Sequence, residues 1–189
     1  MKKQLTAGIL LSLISGSVYA HSGNTGHSFM SGFFHPFLGL DHVLVMLAIG
    51  LWAYRVGGAA RWQLPIIFVL VMVASALAAN GISPNIEIWV AASVMAMGLI
   101  LCLNFPMKNS LQLSLTVIFA MVHGFAHGAE LPVAFNTQVL FGMMLATALL
   151  HGIGMLIALL QIKMRHNPYK VIGWMTFLAG GYAFIATSS

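Results

Sequence analysis

Six apolar runs, each long enough to cross a bilayer as a helix, follow one another between residues 36 and 186 with almost no charge inside them. They cover residues 36–54, 63–80, 86–104, 111–129, 138–161 and 169–186. About 20 apolar residues at about 1.5 Å per residue span the roughly 30 Å of hydrocarbon. In that medium every backbone N–H and C=O must find its partner inside the protein, which leaves helices and closed barrels. The expectation is an all-α, polytopic membrane protein with six transmembrane helices and both termini outside. Composition agrees. Of 189 residues 60% are hydrophobic and 6% charged, whereas a soluble domain carries about 25% charged residues. Lipid is the solvent such a surface requires.

The formal net charge of +5 is no nucleic-acid signal, because the basic residues are few, scattered and placed beside the apolar runs. The single cysteine, Cys102, excludes a disulfide within the chain and reads as a buried small hydrophobe. Residues 1–20 have Lys2 and Lys3, a short apolar core over Leu5–Ile14, and the small-x-small ending Val18-Tyr19-Ala20. That pattern predicts a cleaved signal peptide, with His21 as the new N-terminus. Residues 21–34 are rich in Gly and Ser and predict a flexible, histidine-containing outer segment; residues 35–189 form the six-helix domain. With the N-terminus outside, Arg55, Arg61, Lys108, Lys163, Arg165 and Lys170 all fall in inner connectors, and Glu87 and Glu130 fall on the outer side. The expected location is a bacterial inner membrane, in contact with lipid. Small residues in the spans allow close helix packing and leave a homo-oligomer open.

Eight histidines against three acidic residues is the unusual count in so apolar a chain. The stretch "HPFLGLDHVLVM" places His35 and His42 seven residues apart, on one face of a continuous helix, with Met46 one turn deeper. Asp41 is turned about 100° from His42, toward a neighbouring helix. In "MVHGFAHGAELP", His123 and His127 are four residues apart and Glu130 follows three later, again on one face. That spacing presents two imidazoles and a carboxylate to one metal. "LLHGIG" places His151 near mid-depth. His35, His127 and Glu130 should lie near the outer surface, and Asp41, His42 and His123 about 6–10 Å deeper. Ionisable groups inside a membrane are costly and mark pathways or sites. A nitrogen-rich set suits Ni, Co, Zn or Cu rather than Mg or Ca. His21, with an α-amine and an imidazole on one residue, is a further candidate ligand, and His27 follows it on the same arm. Trp52, Trp62, Trp89 and Trp174 read as interface anchors, His166 as solvated, and Asn80 and Asn104 as helix caps.

These stretches resemble a known family. "HPFLGLDHVLVM", "HGFAHGAE" and "LLHG" are similar to three motifs of the HupE/UreJ family of bacterial membrane proteins, and the likeness covers essentially the mature chain. The resemblance implies secondary transport of nickel or cobalt, with His35, Asp41, His42, His123, His127 and Glu130 as metal-handling residues. The reading is then a permease, not an enzyme, that carries Ni2+ or Co2+ as its cargo, holds no prosthetic group and binds no nucleic acid. No ATP-binding motif is present. The alternative is an intramembrane hydrolase, with Zn2+ on His123, His127 and His42 or His151, and with Asp41 or Glu130 as general base.

Overall fold

The computed structural model describes residues 28–79, 85–130, 137–161 and 167–188. They form seven helices and no strand: α1 (Phe29–Leu38), α2 (Leu40–Val56), α3 (Ala60–Leu77), α4 (Ile86–Leu103), α5 (Asn109–Glu130), α6 (Thr137–Leu160) and α7 (Pro168–Ser188). The helices α3 to α7 are each long and apolar enough to cross a membrane, and α1 and α2 pass the same test only as a bent pair, a broken span or a re-entrant loop, which makes five spans or six. The signal sequence, His21 and His27, Asn80 and His166 lie outside the described residues.

The first apolar run differs from the expectation. It is not one straight helix, because α1 and α2 meet at 89°. Pro36 lies inside α1 rather than opening a helix, and Gly39 takes an extended conformation (φ −107°, ψ 122°) that ends one ladder and begins the next. Residues 29–34, which composition places in the polar outer segment, are helical too. Ser28 caps them: its hydroxyl accepts from the Ser31 amide at 3.3 Å, and the Ser31 hydroxyl accepts from the Ser28 amide at 3.2 Å. α1 lies on α6, where Gly32 and Gly142 leave room for the facing backbones.

α2 is the central helix. Val45, Met46, Ala48, Ile49, Leu51 and Ala53 are all fully buried, as expected of a helix that is apolar on every side. It packs against α3, α4, α6 and α7, while α4 pairs with α7 and α3 with α5. Trp52 therefore corrects the reading as an interface anchor, being 3% exposed, whereas Trp62 and Trp89 stand outside at 63% and 64%. The outer surface of the bundle is apolar, with Ile66, Leu70, Leu178 and Ile185 all exposed. That surface belongs in lipid.

Glycine sets how closely the pairs approach. A Cβ on Gly124 would run into the Met72 carbonyl and, at 2.8 Å, the Ser75 side chain of α3; one on Gly50 would meet the His151 backbone of α6. Backbone does not yield as a side-chain tip does. Gly124→Val is expected to cost about 1–3 kcal/mol through overpacking. Gly152→Val, at a position with open space around it, is expected to cost far less. Thermal unfolding of both variants in detergent measures this, and equal melting points would contradict the packing.

Charge separates along the bundle. Asp41 at the start of α2, Glu87 at the start of α4 and Glu130 at the end of α5 share one end. At the other end the Arg55 Nη1 donates to the Leu101 carbonyl at 2.8 Å and to Asn104 Oδ1 at 3.2 Å, and its guanidinium lies 3.6 Å from the Tyr169 ring centroid. Asn104 caps α4 in the left-handed conformation (φ 49°), as its sequence position suggests. Cys102 is only partly buried there, and its thiol faces the Lys170 carbonyl at 3.8 Å.

Candidate metal centre

The break at Gly39 turns α1 through 89° against α6, beside the end of α5. His35, near the end of α1, thereby reaches His127 and Glu130. His35 Nε2 is 3.2 Å from His127 Nδ1 and 3.0 Å from Glu130 Oε2, and His127 Nδ1 is 3.6 Å from the same oxygen. Hydrogen bonds account for this spacing when no ion is present. The spacing also suits an ion. Bonds of about 2.1 Å put neighbouring ligand atoms about 3.0 Å apart in an octahedral site and about 3.4 Å apart in a tetrahedral one. These three atoms could hold a metal ion, and one nitrogen or oxygen from each residue suffices. The Glu130 side chain is 45% exposed and His35 29%, against 1% for His127, so the group is open on one side and anchored on the other.

The next imidazole is His42. It lies one residue after Asp41, whose carboxylate Oδ1 accepts from its Nδ1 at 3.1 Å. Asp41 thus turns to its own neighbour rather than to another helix, in space left by the missing Cβ of the extended Gly39 two residues earlier. A carboxylate on one ring nitrogen fixes the tautomer and leaves the other nitrogen as a free lone pair, the arrangement common behind metal-bound histidines. His42 Nε2 is that free nitrogen, and it is buried without a partner among the described residues. His123 is prepared in the same way by its own helix. Its Nδ1 donates to the Phe119 carbonyl at 2.8 Å, and its Nε2 is buried without a partner. The rings form a continuous series: His35 to His127 at 5.0 Å between centroids, His127 to His42 at 5.1 Å, and His42 to His123 at 5.8 Å.

His35, Asp41, His42, His123, His127 and Glu130 are therefore brought together from α1, α2 and α5. His35 and His42 are neighbours, with centroids 6.4 Å apart, but across the bend rather than along one helix face. His151 in α6 stands apart: it is 1% exposed, both of its ring nitrogens lack a partner among the described residues, and its ring contacts Phe68, which also contacts His123. Met46, one turn beyond His42, is fully buried in the apolar core cluster.

Glu87 is the residue that spacing does not reveal. A cavity of about 150 Å³ opens beside the cluster, and its walls include Asp41, His42, Glu87, Ala126, Glu130 and Thr187. All three acidic side chains of the sequence line this one space, which has room for an ion with part of its water shell. The available signal is scarcity, since the chain has only three acidic residues.

A bundle of apolar-surfaced helices around buried histidines, with its carboxylates gathered at one end, is a multi-pass membrane protein with a polar site. Comparison with known proteins is specific about which kind. Residues 9–183 match the family described as HupE / UreJ protein. The chain is 34% identical over 181 residues to Protein HupE of Rhizobium leguminosarum bv. viciae, an alignment covering 94% of this chain and 95% of that relative. The chain belongs to the HupE/UreJ family. No solved structure matches it.

Proposed function

We propose that the chain is a secondary permease for a divalent transition metal, nickel or cobalt, and that it moves the ion inward across the inner membrane. The observation that carries this reading is the His35–His127–Glu130 triangle, whose edges suit one ion, continued inward by two imidazoles with free, buried nitrogens. Family membership speaks for the same activity. The acidic cavity at the mouth collects cations. His35, His127 and Glu130 then replace part of the water shell, His42 and His123 replace more, and His151 receives the ion on the inner side. Nitrogen ligands select the later first-row metals over Mg2+ and Ca2+.

In this reading the signal peptide is removed after Ala20, the acidic end faces outward and the arginine end inward, in line with the positive-inside bias. His21 and His27 would add capture groups at the mouth. The membrane potential is a sufficient driving force, because a divalent cation gains about 4.6 kcal/mol per 100 mV on moving inward. The zinc hydrolase alternative has no observation of its own in its favour.

Purified protein in vesicles with an inside-negative potential is expected to accumulate radioactive nickel or cobalt at least tenfold above protein-free vesicles. Vesicles no better than the protein-free ones, together with one tightly held Zn per purified chain, would overturn the permease in favour of the hydrolase.

A further inference from the structure

One fully buried aromatic side chain stands in the line of the histidines. Phe68 of α3 has no exposed surface, and its ring lies 5.8 Å from the His123 ring and 5.2 Å from the His151 ring, the latter edge-to-face at 90°. It is in ring contact with both histidines. On the His123 side, the rings connect back to His42, which lines the open cavity. On the other side, His151 has two ring nitrogens with no partner among the described residues. An unsatisfied buried polar group is destabilising, so keeping His151 in that place needs a return, and an arriving ligand supplies one.

We propose that Phe68 is a movable septum. It divides the histidine series into an outer chamber ending at His123 and an inner cation subsite at His151, and rotation of its side chain joins the two. The proposal rests on the transport reading above. The chemistry suits the task. A phenyl ring across the line keeps water out when closed, and its π face attracts a cation that has shed water. A change of rotamer moves the ring without moving the helix. Met72, one turn further along α3 and also buried, is an unbranched side chain that can yield as the ring swings.

The test reads access to position 151 from the cavity side. Cys102→Ser removes the one native thiol, and His151→Cys or Ala126→Cys then places a single reporter, Ala126 being a wall of the cavity. A small cationic thiosulfonate is added outside intact cells, and modification is followed by mass spectrometry. With Phe68 in place, position 126 is expected to react and position 151 to react at least tenfold more slowly. Adding Phe68→Ala is expected to raise the rate at 151 at least tenfold and to leave that at 126 unchanged. Phe68→Leu, which retains most of the buried volume, should give a smaller rise, and it decides the matter if the alanine variant does not fold. Equal rates at 126 and 151 with Phe68 present, or a rate at 151 that neither variant changes, would overturn the septum. Protection by nickel separates the two levels: if nickel fails to slow the reaction at 126, the transport reading fails, whatever happens at 151.

Discussion

Cells carrying the His123→Leu, His151→Leu double variant are expected to take up no more nickel than cells without the protein, while the variant melts at a higher temperature than the parent. The two effects share one cause. Three ring nitrogens, His123 Nε2 and both of His151, are buried without partners among the described residues. Each such group destabilises the fold by about 1–3 kcal/mol. Leucine is close to histidine in volume and fully apolar, so it fills both places without that penalty. The Phe119 carbonyl, which accepts from His123 Nδ1, retains its place in the helix ladder. Most core substitutions destabilise; here the sign is reversed, as it is where residues are kept for activity at the expense of stability. Uptake falls because Phe68 loses both of the imidazoles it contacts, and a divalent ion at His42 has no next ligand. Radioactive uptake and a thermal melt in detergent read the two quantities. Normal uptake would remove these histidines from the path. A lower melting point would mean that their packing outweighs their unsatisfied nitrogens.

The division between what is legible in the sequence and what is not has a physical boundary. The spans are legible because lipid imposes a length. The helices α3 to α7 agree with the runs 63–80, 86–104, 111–129, 138–161 and 169–186 to within a few residues. Most of the site is legible because His123, His127 and Glu130 lie on one helix at turn spacing, where local geometry suffices. The bend at Gly39 is not legible, since "HPFLGLDHV" reads as one apolar helix and nothing local states that α1 will lie back on α6. That bend, rather than a seven-residue helical repeat, brings His35 to His42. Burial of Trp52 is equally tertiary. It depends on α2 becoming the central helix, and an aromatic near a span end reads alike whether it meets lipid or a neighbour. Glu87 and Phe68 escape for the same reason. Each is alone on its helix, and its meaning comes from helices that are distant in the chain.

Removing Glu130 tests the mouth of the path most directly. Glu130→Gln is nearly isosteric and keeps one oxygen where the carboxylate now accepts from His35 at 3.0 Å. It removes the negative charge, the strongest attraction that this triangle offers a divalent ion. Loss of an outer partner behind a metal ligand typically weakens binding about 10- to 100-fold, and loss of a charged ligand itself belongs at the upper end. A hundredfold fall corresponds to about 2.7 kcal/mol. Asp41→Asn is the matched comparison. Asp41 touches His42 rather than the triangle, so it acts by orienting an imidazole, and about tenfold is the expected loss. Nickel titrations of the purified protein in detergent, competed against a chelator of known affinity, rank the two. If Glu130→Gln binds as the parent does, the triangle is a hydrogen-bonded helix end and not a site. If Asp41→Asn is the weaker binder of the two, the first firm hold on the ion lies at His42, one layer deeper than the triangle, and the mouth serves only to gather cations.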